Sequence, residues 1–347
     1  MSTPASNAGS RSSFRVSFAS ALAAAVLTCA TPAAADVTLT PEVGYRLGRT
    51  AYELSFGVFD PTYNATIEGR SRLDWSLSGW ISGLSAGWHQ PSPALPWAVT
   101  LTVIWNLGRP DGRMTDEDWV GSSDLGIPLT KFSSTESGLA LRAYTLEAAI
   151  WLYLGGTERP WVTPTAVRPA LGFGYRHDNF NYRGYGASGW QDDGTGQQHF
   201  TIPDNLLAIT YDTDRYQPFV ALYLPLLGAE TPVQLGLMVR ALLLHETDED
   251  THILRGKLAT GSAWGGGGHG ALILQAPVAG REPVWRLYLG TRIEGGYQQT
   301  ANGNWSQYFY ADDPSTAENE TGTSVQDVDY YVETTLGAGV VTLQLRM

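Results

Sequence analysis

The sequence predicts an all-β fold: a single closed antiparallel barrel of about ten strands that crosses a membrane. Three observations carry this. Apolar residues recur at period two, no apolar run after residue 35 is long enough for a membrane-spanning helix, and short links alternate strictly with long polar ones.

Residues 1–35 read as a secretory signal peptide. Arg11 and Arg15 supply the basic start, "VSFASALAAAVLTCA" the apolar stretch, and "TPAAA" the small residues before cleavage. A lipoprotein reading at Cys29 is the lesser alternative, because Thr28 stands where a small residue is favoured. Cys29 is the single cysteine, so residues 36–347, the barrel domain, contain no disulfide. The full chain carries 22 basic and 34 acidic residues, and losing the two leader arginines takes its net charge from −12 to −14. That balance disfavours nucleic acid as a partner and favours basic ligands.

The strands follow in order. In "WAVTLTVIWNL", Trp97, Val99, Leu101, Val103, Trp105 and Leu107 share one face, with Thr100, Thr102 and Asn106 on the other. In "VWRLYLGTRIEGG", Trp285, Leu287, Leu289 and Ile293 alternate with Arg286, Arg292 and Glu294. A soluble sandwich also alternates, but its core would bury those charges at high cost; a hydrated lumen accepts them. Short links fall at 89–96, 155–160, 225–232 and 276–283, and long polar ones at 58–70, 109–137, 183–203, 246–262 and 300–327. The barrel pattern makes the first set periplasmic turns and the second extracellular loops. The glycine run "WGGGGHG" (264–270) is read as a bend in the eighth strand near the mouth.

This arrangement sets two acidic clusters nearly opposite each other. One is "MTDEDW", with Asp116 and Asp118; the other is "DEDTH", with Asp248, Asp250 and His252. Residues two apart in an extended strand point the same way, so Asp116 and Asp118 form a pair able to share a proton or hold a water. Asp250 at the same spacing can orient His252 as a general base. An acidic run alone is more often a solvated surface. Calcium-loop spacing is incomplete, no H-E-x-x-H is present, and no metal site is expected.

The segments "SRLDW" (71–75), "MTDEDW" (114–119), "DEDTH" (248–252) and "YYVETTLGAG" (330–339) resemble the omptins, ten-stranded outer-membrane endopeptidases of Gram-negative bacteria. The resemblance covers essentially the whole chain after the leader. It implies an outer-membrane location, cleavage beside Arg or Lys, and a water activated by Asp250 and His252 opposite Asp116 and Asp118. It further implies that Asp248 lines the pocket for the basic side chain before the cut, assisted by Glu53. Lipopolysaccharide is the implied activator, held on the outer surface at Tyr175, with Arg215 as a later basic contact. No other cofactor is implied, and a monomer is expected. Thr130 and Lys131 stand where relatives carry an acid, so the residue after the cut is expected not to be basic. Two further readings stay open: an inactive barrel of this fold serving adhesion, and a passive pore.

Overall fold

The computed structural model describes residues 36–90, 96–154, 168–192, 194–227, 233–281, 285–312 and 319–347. The expected signal peptide and part or all of each short link lie outside the described residues. Twelve antiparallel strands follow: β1 (Asp36–Asp60), β2 (Ala65–Ser76), β3 (Gly79–Gln90), β4 (Trp97–Leu107), β5 (Arg113–Ser122), β6 (Ile127–Tyr153), β7 (Ala170–Asp192), β8 (Gln197–Pro225), β9 (Gln234–His252), β10 (Lys257–Arg281), β11 (Trp285–Phe309) and β12 (Ser324–Arg346). Strand β12 pairs back onto β1 from Thr38↔Arg346 to Ser55↔Asp329, closing the ring. Strand β1 meets β3 in its first half and β2 in its second; β4 and β5 likewise share β6. Segments β2 with β3, and β4 with β5, therefore each fill one wall position, which leaves ten positions around the ring.

The interruption between β4 and β5 has a local cause. In "GRPDG", Gly108 and Gly112 take φ of 71° and 116°, and Pro110 has no amide hydrogen to donate to the ladder. The breaks lie side by side, since Asp111 N–H donates to Ser78 O at 2.7 Å and Ser76 Oγ to Asp111 O at 2.6 Å.

Period-two alternation places Val239, Leu243, Leu289, Ile293, Leu171 and Phe173 on the outside, where they form an exposed apolar band. The inner face carries ion pairs: Arg240–Glu147 at 2.7 Å, Arg292–Glu42 at 3.1 Å, Arg176–Asp178 at 3.0 Å and Arg215–Glu246 at 3.0 Å. Arg292 and Glu294 lie inward, as the alternation predicts. A cavity of about 140 Å³ lies among these charges.

The expected long loops are mostly strand. Among the described residues turns fall at 61–64, 123–126 and 253–256, and strand on either side of them continues the wall beyond the apolar band. Those stretches read as loops because both faces of a strand outside the membrane meet water or a polar site, which removes the apolar alternation. Along β9 the outward residues change from Val239 and Leu243 to Thr247, Glu249 and Thr251. Asp248 and the residues after it therefore stand above the band.

The glycine run lies in β10 below the mouth, at the upper edge of the band, where Trp264 is exposed and its ring sits 4.4 Å from His245. A register shift falls between Ser262 and Trp264, and a Cβ on Gly265 would collide with the Gln299 carbonyl. The glycines allow close approach of β11 there.

Candidate active site

Asp116 and Asp118 sit on β5, facing into the barrel mouth, with Glu117 on the opposite face. Ser133 Oγ, across the β5–β6 ladder, donates to Asp118 Oδ2 at 2.7 Å. Asp116 is half-buried, and its Oδ1 is enclosed without a hydrogen-bond partner among protein groups. Burial first, and the neighbouring Asp118 charge second, push the Asp116 carboxyl up to about 8. At neutral pH this carboxyl holds its proton.

Asp250 and His252 project inward from the end of β9. His252 Nε2 lies 2.9 Å from Asp250 Oδ2, and the Tyr52 hydroxyl on β1 donates to the same oxygen. Asp250 is 1% exposed, and its Oδ1 has no partner among protein groups. With Nε2–H given to the carboxylate, Nδ1 carries the lone pair. Burial lowers the imidazole's proton affinity, and Asp250 opposes that effect. Asp116, Asp118 and His252 line one cavity of about 410 Å³, so β5 and β9 are brought together across the mouth.

Asp248, two residues before Asp250, is buried beneath the site. Tyr211 donates to its Oδ1 at 2.7 Å, and Tyr330 donates to Oδ2. Burial holds this carboxyl well above the ordinary range, with Glu246 adding to the effect. The rings of Tyr52, Trp75, Tyr211, Trp305 and Tyr330 form a floor, with Tyr52–Tyr211 at 5.0 Å and Trp75–Tyr211 stacked at 5.5 Å. This floor separates the mouth from the ionic lumen below.

Three expectations are corrected. Glu53 has the wrong parity for the pocket: it lies on the outer face, held by Arg70 at 2.8 Å, Arg72 at 3.6 Å and the Tyr331 hydroxyl at 3.1 Å. The inward place belongs to Tyr52. Arg215 is not an outer-surface residue, being 1% exposed in the lumen and bound to Glu246. Lys131 pairs with Glu117 at 2.5 Å on the outer face, where Trp119 lies between it and Arg70, so it does not reach the site. Tyr175 does lie outside, 47% exposed. Near it His177 bonds Asp214 at 2.9 Å and stacks on Tyr216 at 5.0 Å.

Two cations in the mouth were missed from the sequence. Lys257 is paired in register with His252 across the β9–β10 hairpin, and Arg255 lines the 410 Å³ cavity from the hairpin's turn. Burial, with Arg255 beside it, lowers the Lys257 ammonium's proton affinity, while Asp250, Asp116 and Asp118 oppose the shift. The pairing follows from the turn at 253–256, whose length is set by the fold and sets which residue faces His252. Among the described residues, no group of three His, Cys, Asp or Glu side chains converges as a metal site.

No protein-family model matches the sequence, and no curated protein matches it. Among solved structures, the outer membrane protease OmpT from Escherichia coli is similar over 90% of this chain and 97% of its own, with TM-score 0.66 and 18% identity. The translocator domain of the autotransporter NalP from Neisseria meningitidis covers 93% and 95%, with TM-score 0.30 and 10% identity. The β domain of the Bordetella autotransporter BrkA covers 86% and 98%, with TM-score 0.29 and 7% identity. Closed ring, outward apolar band and the likeness to OmpT together make this chain a transmembrane β-barrel with the omptin fold.

Proposed function

We propose that this chain is an outer-membrane endopeptidase of the omptin type, cutting peptide bonds after Arg or Lys at the outward-facing mouth of the barrel. The observation that carries this reading is the shared cavity, which gathers the Asp116–Asp118 pair on one wall and His252, backed by Asp250, on the other.

The mechanism follows from the protonation states. A water between the walls donates to His252 Nδ1 and accepts from protonated Asp116. His252 takes a proton as the water oxygen bonds to the scissile carbonyl carbon. Asp116 holds the developing oxyanion by hydrogen bonding. The C–N bond then breaks, and the imidazolium returns its proton to the leaving amine. Asp250 holds the ring and stabilises its charged form. Asp248 receives the guanidinium or ammonium of the preceding residue: burial raises this carboxyl's proton affinity, and an arriving cation favours its ionised form and gains a charge-assisted partner between the two tyrosines, which selects for a cation.

Lipopolysaccharide remains the proposed activator, with Tyr175 as its contact and Arg215 withdrawn from that role. The proposed partners are basic peptides or proteins and this lipid, and the barrel is proposed to act as a monomer. Adhesion and pore readings lack a comparable observation; the lumen is filled with paired charges.

The test is mass-spectrometric mapping of the bonds cut in a peptide mixture by the refolded barrel, with and without lipopolysaccharide. Cuts confined to Arg–X and Lys–X are expected. Cuts without regard to a basic residue, or none in either condition, contradict the proposal.

A further inference from the structure

The mouth offers room for a second side chain besides the one proposed to reach Asp248. This recess is the part of the 410 Å³ cavity that runs from Asp116 toward β7 and β8, where Phe132, Phe200, Ile202 and Leu254 supply an apolar lining among Ser133, Thr135 and Gln191. Phe200 keeps 38% of its surface exposed, although its position faces the mouth.

Two irregularities in the ladder aim these side chains. Asp118 pairs with Ser133 but Trp119 pairs with Lys131, so Phe132 is the extra residue of a bulge beside the carboxylate pair. On β7 and β8, Tyr185 pairs with Leu207 while Ala187 pairs with Ile202, so 203–206 are bulged out and Gly186 takes φ of 61°. Bulges re-aim side chains beside active sites. Two independent bulges here turn an aromatic and an aliphatic side chain into one recess.

We infer that this recess is the subsite for the residue following the cleaved bond, and that it accepts a large apolar side chain. The inference rests on the protease reading. Successive side chains of an extended peptide point to opposite sides. With the basic side chain directed to Asp248, the next one is directed across the site toward β5–β8. Arg255 lines the recess together with Asp118, so a cationic side chain meets like charge from the hairpin turn and gains less there than an apolar one does against Phe132 and Phe200. The discrimination comes from these residues and not from Lys131, which faces away.

The test uses the refolded barrel, residues 36–347, with quenched peptides containing Arg–Phe, Arg–Leu, Arg–Ala, Arg–Lys or Arg–Asp. Arg–Phe and Arg–Leu are expected to exceed Arg–Ala and Arg–Lys in kcat/KM by roughly tenfold or more. Phe132→Ala and Phe200→Ala should each shrink that margin and leave the requirement for Arg intact, with folding checked by heat-modifiable gel mobility. Arg255→Glu should raise cleavage of Arg–Lys. A flat profile, a preference for Arg–Lys, or an unaltered margin in both Phe variants overturns the subsite while leaving the protease reading in place. Should no peptide be cut, the protease reading falls, and reduced-amide Arg–Phe and Arg–Lys peptides are compared for binding by fluorescence anisotropy. Tighter binding of Arg–Phe then supports an apolar recess, and equal binding overturns it.

Discussion

The Tyr52 hydroxyl and the Asp250 carboxylate are hydrogen-bonded inside the mouth, so Asp250 is held from β1 as well as by His252 on its own strand. The phenol draws negative charge away from the oxygen that faces the imidazole. Tyr52→Phe is expected to strengthen the carboxylate's hold on the imidazolium and move the acid limb of the kcat/KM profile to higher pH. The fall in kcat should be smaller than the roughly hundredfold that loss of a general base brings. A pH–rate series on the two proteins checks both.

Activity should follow a bell in pH. His252 must be neutral, and its proton affinity is lowered by burial, so the acid limb lies below the ordinary imidazole range. Asp116 must be protonated, so activity falls as pH rises through about 8. Asp118→Asn removes a negative charge that raises the Asp116 value, and the alkaline limb then moves to lower pH. Lys257→Met removes a positive charge that lowers both groups, and both limbs then move to higher pH.

Asp248→Asn keeps the size of the side chain and one tyrosine donor, the other hydroxyl turning to accept from the new amide, but removes the charge for the proposed substrate cation. Loss of one member of a buried charge pair costs about 2 kcal/mol or more, some thirtyfold in kcat/KM for Arg substrates. A substrate with citrulline replacing Arg should show little difference between wild type and variant, and comparing the two peptides separates charge recognition from misfolding.

Below the floor, Arg215 and Glu246 lie 3.0 Å apart and almost wholly buried. Arg215→Met strands Glu246 and is expected to cost about 3–5 kcal/mol of stability. Pairing it with Glu246→Gln should recover most of the loss. The unfolding midpoint by gel mobility shift reports this, and lipopolysaccharide binding should be unaltered because Arg215 does not reach the outer surface.

The wall was legible because membrane outside and charge inside force period two, as in Trp97–Leu107. Asp116 with Asp118 and Asp250 with His252 were legible for the same reason, since spacing of two fixes a shared face within one strand. Partners across strands were not, because they depend on register: Tyr52 with Asp250, Ser133 with Asp118, Lys257 with His252. The errors were errors of parity. Thr38, Glu42, Arg46 and Thr50 set the inward face of β1 at even numbers, which excludes Glu53. On β8, exposed Val220 shares its face with Tyr216 and not with Arg215. A one-residue slip sends a side chain to the other side of the wall.

The most direct measurement is the turnover of a quenched Arg-containing peptide by the wild-type barrel, Asp116→Ala and His252→Ala, refolded in detergent with lipopolysaccharide and matched for heat-modifiable mobility. Cleavage by the wild type is expected, with a loss of roughly hundredfold or more in each variant. Wild-type turnover that persists in both variants would contradict water activation between the β5 carboxylates and the β9 dyad.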